Sequence, residues 1–158
     1  MPFFSSIIAA FDSVVKLNIN MKDAYVDAFR SIVVETRNKT GIELPEPVEI
    51  YVIMLLANFL DRPDFLPDSS FAETHLKLKN SRSAKELGDV CLFLTGVFPQ
   101  YGSRYGIDTG YYVGIGSNSY QIAARTLNYQ TFQLLSEHFD YVRQFIEITT
   151  GTQSKFIY

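Results

Sequence analysis

One possible catalytic set in this 158-residue sequence combines a carboxylic acid, a phenol and a guanidinium. Asp89, Tyr112 and Arg104 could serve an enzyme as acid, base and anion holder. The sequence supports no particular reaction for them, because it contains neither a Gly-x-Ser-x-Gly elbow nor a loop that cradles phosphates. An enzyme is therefore the third hypothesis, and we expect a protein without a catalytic role.

Metal binding and cysteine chemistry are also disfavoured. Both histidines, His75 and His138, have a glutamate nearby, but not at the i,i+3 or i,i+4 spacing that places two ligands on one helix face. The single cysteine, Cys91, lies among apolar residues of a predicted helix, where a thiol is inert. We expect no metal and no cofactor, and we interpret His138 as a histidine that flanks the core.

The segment from 99 to 130 has an unusual composition. It holds six of the ten tyrosines and five of the nine glycines, but its only charged residues are Arg104, Asp108 and Arg125. Tyrosine buries a ring while keeping a polar hydroxyl, so such a segment suits either a binding surface or a core. The candidate binding residues are Asp89, Arg104, Tyr105, Tyr111, Tyr112 and Tyr120.

Two binding hypotheses follow from this segment. The first is a helical interaction protein without catalytic activity, a homodimer or the partner of another protein, which associates through the Tyr/Gly-rich residues near 100–129. The alternative is a protein that binds a small molecule in a pocket between helices. Tyr111, Tyr112 and Tyr120 would line that pocket, and Arg104 or Asp89 would fix the polar end of the ligand.

Helical periodicity predicts the elements that position these residues. We expect one all-α domain over 1–158, a bundle of about five to seven helices. An amphipathic helix is predicted at 4–16, and a second begins after Asn20 and ends at Gly41. The third, at 47–60 with Pro47 in its first turn, is apolar nearly all round and is expected to be central.

Four further helices are predicted after residue 70. A short one is predicted at 71–78. The next begins at the capping box Ser83-Ala84-Lys85-Glu86 and is closed by Pro99. A loop at 100–107 leads to a helix at 108–126, and the last helix runs from 129 to 149.

Small residues recur at helical spacing in two of these helices. Ala84, Gly88, Cys91 and Thr95 form one row, and Gly110, Gly114 and Ser117 form another. Small side chains let backbones approach closely, so we expect the two helices to cross in close contact. Asp89 and Asn118 would then satisfy exposed backbone groups.

Charge and hydropathy exclude two classes of partner. The net charge is −3, and the only concentration of basic residues, at 77–85, is flanked by Glu73 and Glu86. We therefore expect that the protein does not bind nucleic acid. The longest apolar run, 50–60, is too short to span a bilayer, so we expect no membrane. A lone cysteine suits a reducing compartment, and we expect a cytoplasmic protein from a bacterium.

Overall fold

The computed structural model describes residues 21–62 and 64–151. Within these ranges the chain forms seven α-helices and no strand, which confirms the predicted all-α fold. The predicted helix at 4–16 and the cap at Asn20 lie outside the described residues. The chain divides into two compact units, Met1–Pro63 with Ile148–Tyr158 and Asp64–Glu147. The single domain over 1–158 stays a prediction.

The first unit contains α1, Met21–Thr40, and α2, Glu46–Phe59, which pack on each other. Gly41 ends α1 with a φ of 72°, and its N–H donates to the carbonyl of Arg37 at 2.9 Å. A side chain is strained in that left-handed region, so the glycine stops the helix where the sequence predicts. The Arg37 guanidinium also ties α1 to α2 through Glu49, 3.0 Å away.

Helix α2 is buried along most of its length, as its apolar sequence predicts, and Pro47 lies in its first turn. One face stays open, because Ile50 is 55% exposed and Met54 is 37% exposed. The apolar character of this helix on nearly all sides therefore does not mean that every side is covered, and its central position stays a prediction. The buried residues are Val48, Val52, Ile53, Leu55, Leu56, Ala57 and Phe59.

The second unit carries the Tyr/Gly-rich segment. Its helices are α3, Phe71–Leu76; α4, Ser81–Val97; α5, Thr109–Ala123; α6, Tyr129–Glu137; and α7, Phe139–Thr149, whose last residues belong to the first unit. A 3₁₀ turn, Gly102–Tyr105, lies inside the predicted loop at 100–107. The most extensive helix contact of the described residues joins α4 to α5.

Two predicted boundaries in this unit are wrong. Helix α4 begins before the expected capping box, because Asn80 is its N-cap. The Asn80 side chain accepts from the Ser83 N–H at 2.8 Å, and Ser83 Oγ accepts from the Asn80 N–H. The predicted helix at 129–149 is also two helices, since His138 has a non-helical φ of −113°. A non-helical backbone at one residue leaves the helical spacing of the apolar residues intact, so the sequence does not reveal the break.

Candidate functional site

Five aromatic rings meet where the 3₁₀ turn leads into α5. This aromatic cluster consists of Phe71, Tyr101, Tyr105, Tyr111 and Tyr112. Ring centroids lie 5.0 Å apart for Phe71–Tyr112, 5.1 Å for Tyr111–Tyr112 and 5.5 Å for Tyr101–Tyr105. The two closer pairs have the edge-to-face arrangement that ring quadrupoles favour. The cluster therefore brings together three predicted binding residues, Tyr105, Tyr111 and Tyr112.

The turn that shapes the cluster depends on two glycines. A Cβ on Gly102 would lie 2.6 Å from the carbonyl oxygen of Ile107 and 2.8 Å from the Tyr112 ring. Gly106 has a φ of 68°, which L side chains rarely adopt. These glycines let the chain reverse closely over Tyr112, and they explain part of the local glycine excess.

Exposure divides the cluster into a floor and a surface. Phe71 and Tyr112 are buried, whereas Tyr105 is 66% exposed and Tyr111 is 38% exposed. The Tyr111 hydroxyl accepts a hydrogen bond from the Ala72 N–H at 3.1 Å, which fixes the outer ring against α3. Two tyrosines are therefore presented to solvent on a packed aromatic base.

The buried environment of Tyr112 favours the neutral form of its hydroxyl. Burial raises the pKa of the Tyr112 hydroxyl, and the neighbouring Tyr101 and Tyr111 raise it further. The charges beside the cluster are those of Arg104 and Asp108, and both side chains are exposed. Within residues 21–62 and 64–151, neither forms an ion pair or a side-chain hydrogen bond.

The remaining predicted residues, Asp89 and Tyr120, lie apart from the cluster in a buried network. Tyr120 donates its hydroxyl to Asp89 Oδ1 at 2.7 Å, and Lys85 Nζ donates to Asp89 Oδ2 at 2.9 Å. The Tyr120 ring is fully buried and packs against Phe132 and Phe139, with centroids 5.7 and 5.8 Å apart. Both of these bonds join Asp89 to side chains, whereas the sequence analysis assigned it to backbone groups.

This separation changes both site hypotheses built on those residues. The pocket of the alternative hypothesis needs Tyr111, Tyr112 and Tyr120 on one wall, but Tyr120 belongs to the helix core. The enzyme hypothesis needs Asp89 beside Tyr112 and Arg104, but its carboxylate holds the Tyr120 hydroxyl and the Lys85 ammonium. Neither arrangement is brought together by the fold.

The close crossing of α4 and α5 is present, but different residues form it on the α5 side. A Cβ on Gly88 would lie 2.7 Å from the Tyr120 ring. A Cβ added to Gly116 would lie 2.8 Å from the Cβ of Cys91. The same added atom would also meet the Phe139 ring. The predicted row at Gly110 and Gly114 instead faces solvent.

The cysteine and the two histidines lie outside the aromatic cluster. Cys91 is buried, and burial raises the pKa of its thiol, so it is a poor nucleophile. His75 Nε2 lies 2.8 Å from Asn118 Oδ1, which gives Asn118 a side-chain partner. His138 is exposed, so its interpretation as a core-flanking residue is wrong. Among the described residues, no three His, Cys, Asp or Glu side chains gather as metal ligands.

Sequence reasoning missed the Lys85–Asp89 pair and the floor residue Phe71. The pair was readable from its i,i+4 spacing in a predicted helix. Phe71 comes from a separate helix, and only the tertiary fold brings it under Tyr112.

In the described part of the chain, the helices are all too short or too polar to cross a membrane. Comparison with protein families, with curated proteins and with solved structures finds no match for this chain. The class of protein that the structure defines is all-α.

Proposed function

We propose that this chain is an interaction protein without catalytic activity that self-associates through its Tyr/Gly-rich segment. The surface involved is the tyrosine face, which consists of Arg104, Tyr105, Asp108, Gly110, Tyr111 and Gly114. The observation that carries the proposal is the exposure of Tyr105 and Tyr111, of which Tyr111 packs on the buried Tyr112 ring and Tyr105 on the half-buried Tyr101 ring.

The floor makes the exposed rings good binding anchors. The Tyr111 ring packs on Tyr112, and its hydroxyl already accepts from the backbone of α3. A side chain held in place before binding loses little conformational freedom when a partner covers it. Tyrosines anchored in this way are typical of the residues that dominate binding energy at interfaces.

The glycines of the tyrosine face support the same conclusion. Glycine costs a helix interior about 1 kcal/mol relative to alanine, so an exposed glycine in a helix needs a reason. Within the described residues, an added Cβ on Gly114 would meet no atom within 4 Å, and one on Gly110 would meet only the Asp108 carboxylate. Neither glycine is required by a contact in its own described chain, and a close approach by another molecule supplies the reason.

Charge favours association at this face. The chain carries a net charge of −3, so two copies repel each other weakly over most approaches. Helix α5 has no charged residue among its 15 positions. Depletion of charge combined with exposed tyrosine is the composition of interface centres.

The experiment is a comparison of three alanine variants by analytical ultracentrifugation and thermal melting. Tyr105→Ala and Tyr111→Ala should each weaken self-association by about 30-fold, the equivalent of about 2 kcal/mol. Tyr141→Ala is the matched control, because Tyr141 is 46% exposed and lies in α7, not in the 3₁₀ turn or α5. Tyr111→Phe separates loss of the ring from loss of the bond to Ala72.

A monomeric wild-type protein at high concentration would refute the proposal. It would also fail if Tyr141→Ala weakened association as much as Tyr105→Ala. The expected melting temperature of Tyr105→Ala at low concentration is near that of the wild type, because its side chain is 66% exposed.

For location we propose a reducing compartment such as the cytoplasm. The one cysteine of the chain is a buried free thiol with no second cysteine to pair with. Such cysteine usage is typical of proteins that never meet an oxidising environment.

A further inference from the structure

Two exposed residues of opposite charge, Arg104 and Asp108, lie at the edge of the tyrosine face. Lys77 and Glu73, which are four positions apart in the second unit, form an ion pair at 2.8 Å. Arg104 and Asp108 are also four positions apart, but the left-handed Gly106 between them breaks the helical path. Neither has an ion-pair partner within residues 21–62 and 64–151.

The position of Asp108 makes its free carboxylate more informative. Asp108 is the N-cap of α5, where an aspartate normally accepts a hydrogen bond from the first turn of the helix. Here the side chain makes no such bond. The carboxylate lies beside Gly110, 3.5 Å from where an added Cβ would stand, and is available to a group outside the chain.

We propose that the occupant of the tyrosine face is a second copy of this chain, docked about a twofold axis with Arg104 of each protomer paired to Asp108 of the other. This inference rests on the proposed function and specifies its geometry. In a twofold interface the same surface meets itself, so a contact from one residue to another occurs twice. A face that carries one free cation and one free anion is complementary to its own copy.

The rest of the face fits this arrangement. Between the two charges and the exposed glycines, the surface presents neutral tyrosines and an uncharged helix. Two α5 helices can therefore approach closely at Gly114 without burying an unpaired charge. A partner with a single excess of charge would satisfy only one of Arg104 and Asp108.

Charge reversal tests the pairing directly. Arg104→Asp gives a face with two anions, and Asp108→Arg gives a face with two cations. Each variant alone should self-associate on the order of tenfold more weakly than the wild type, because like charges meet twice. A mixture of the two variants should form a heterodimer of nearly wild-type affinity, since every anion then meets a cation. Arg125→Asp, which changes the net charge by the same amount as Arg104→Asp but from an exposed site outside the face, is the control for that variant.

Native mass spectrometry of the mixture, with one variant isotopically labelled, gives the readout. Preferential heterodimer supports the pairing, and a statistical mixture of dimers overturns it. If both variants stay dimeric while Tyr105→Ala does not, the proposed function stands and the twofold pairing falls. If the wild type is monomeric, both fail.

Neutral variants keep the test decisive if Asp108→Arg destabilises the fold. Asparagine is as good an N-cap as aspartate, so Asp108→Asn should fold normally. Arg104→Gln and Asp108→Asn should each weaken the dimer by about threefold, and the double variant should lose no more than either single one. Fully additive losses would show that the two residues do not pair.

Discussion

Substitution of Gly88 by alanine tests the packing between α4 and α5 most directly. The added Cβ would stand 2.7 Å from two carbons of the Tyr120 ring. An ordinary carbon contact is about 3.5–4.0 Å, so the ring would have to move by roughly 1 Å. It has little freedom to do so, because its hydroxyl is bonded to Asp89 and its faces pack on Phe132 and Phe139.

The expected magnitude combines two opposing effects. Overpacking a tight core site costs about 1–3 kcal/mol, while alanine returns about 1 kcal/mol of helix propensity. Gly88→Ala should therefore lower the free energy of unfolding by about 1 kcal/mol. In a chain of this size that corresponds to a fall of about 2–4 °C in melting temperature.

Gly114→Ala is the matched control, because the same methyl group is added to a helix but meets only solvent. It should raise the melting temperature of the monomer by a similar 2–4 °C, since only the propensity gain of about 1 kcal/mol remains. Both melts are followed by circular dichroism at low protein concentration, where association does not contribute. Equal gains in stability for the two variants would refute the close contact at Gly88.

Three further outcomes are expected. Tyr120→Phe removes a buried hydrogen bond to the Asp89 carboxylate and should cost about 1.5–3 kcal/mol in urea unfolding, whereas Tyr129→Phe at an exposed site should cost almost nothing. Cys91 should react with a thiol reagent only at the rate at which the fold opens, because the side chain is fully buried; fast labelling of the native protein would show that α4 is not covered. The pKa of Tyr112 is higher in the folded protein than in the unfolded chain, so its contribution to stability is complete below about pH 10 and is lost as the pH rises further; the alkaline fall in melting temperature should be shallower for Tyr112→Phe, and an unchanged slope would contradict the burial of that hydroxyl.

Local signals were sufficient for most of the fold. Apolar residues at helical spacing predicted the helical segments but not the division of 129–149 into α6 and α7, and a glycine at position 41 predicted where α1 ends. The cap of α4 was misplaced because Ser83 is followed by a plausible capping sequence. In the structure Ser83 belongs to the first turn of α4, and its side chain accepts a hydrogen bond from the N–H of Asn80, three residues earlier. Two overlapping capping patterns cannot be ranked without the tertiary contacts of the helix.

The candidate site was only half predictable, for a physical reason. Composition picked out the segment that holds Tyr105 and Tyr111, and their exposure is compatible with a binding surface. Composition could not separate them from Tyr120, which is in the core although it lies in α5 like Tyr111. Whether a tyrosine faces solvent or packs on a glycine of another helix depends on the tertiary arrangement of the helices. The residues next to the tyrosine in the sequence do not specify that arrangement.

The burial of α4 has a consequence for the order of events during synthesis. Every residue from Leu87 to Val97 is buried, so this stretch has no solvent-compatible side of its own. The side chains that close over its glycines come later in the chain, Tyr120 at Gly88 and Ile146 at Gly96. Ile146 leaves the ribosome about fifty residues after Gly96, which at about 5–20 residues per second is a delay of roughly 2.5–10 s. During that interval an apolar helix is uncovered, which makes nascent chains stalled before α7 the form of this protein most dependent on a chaperone.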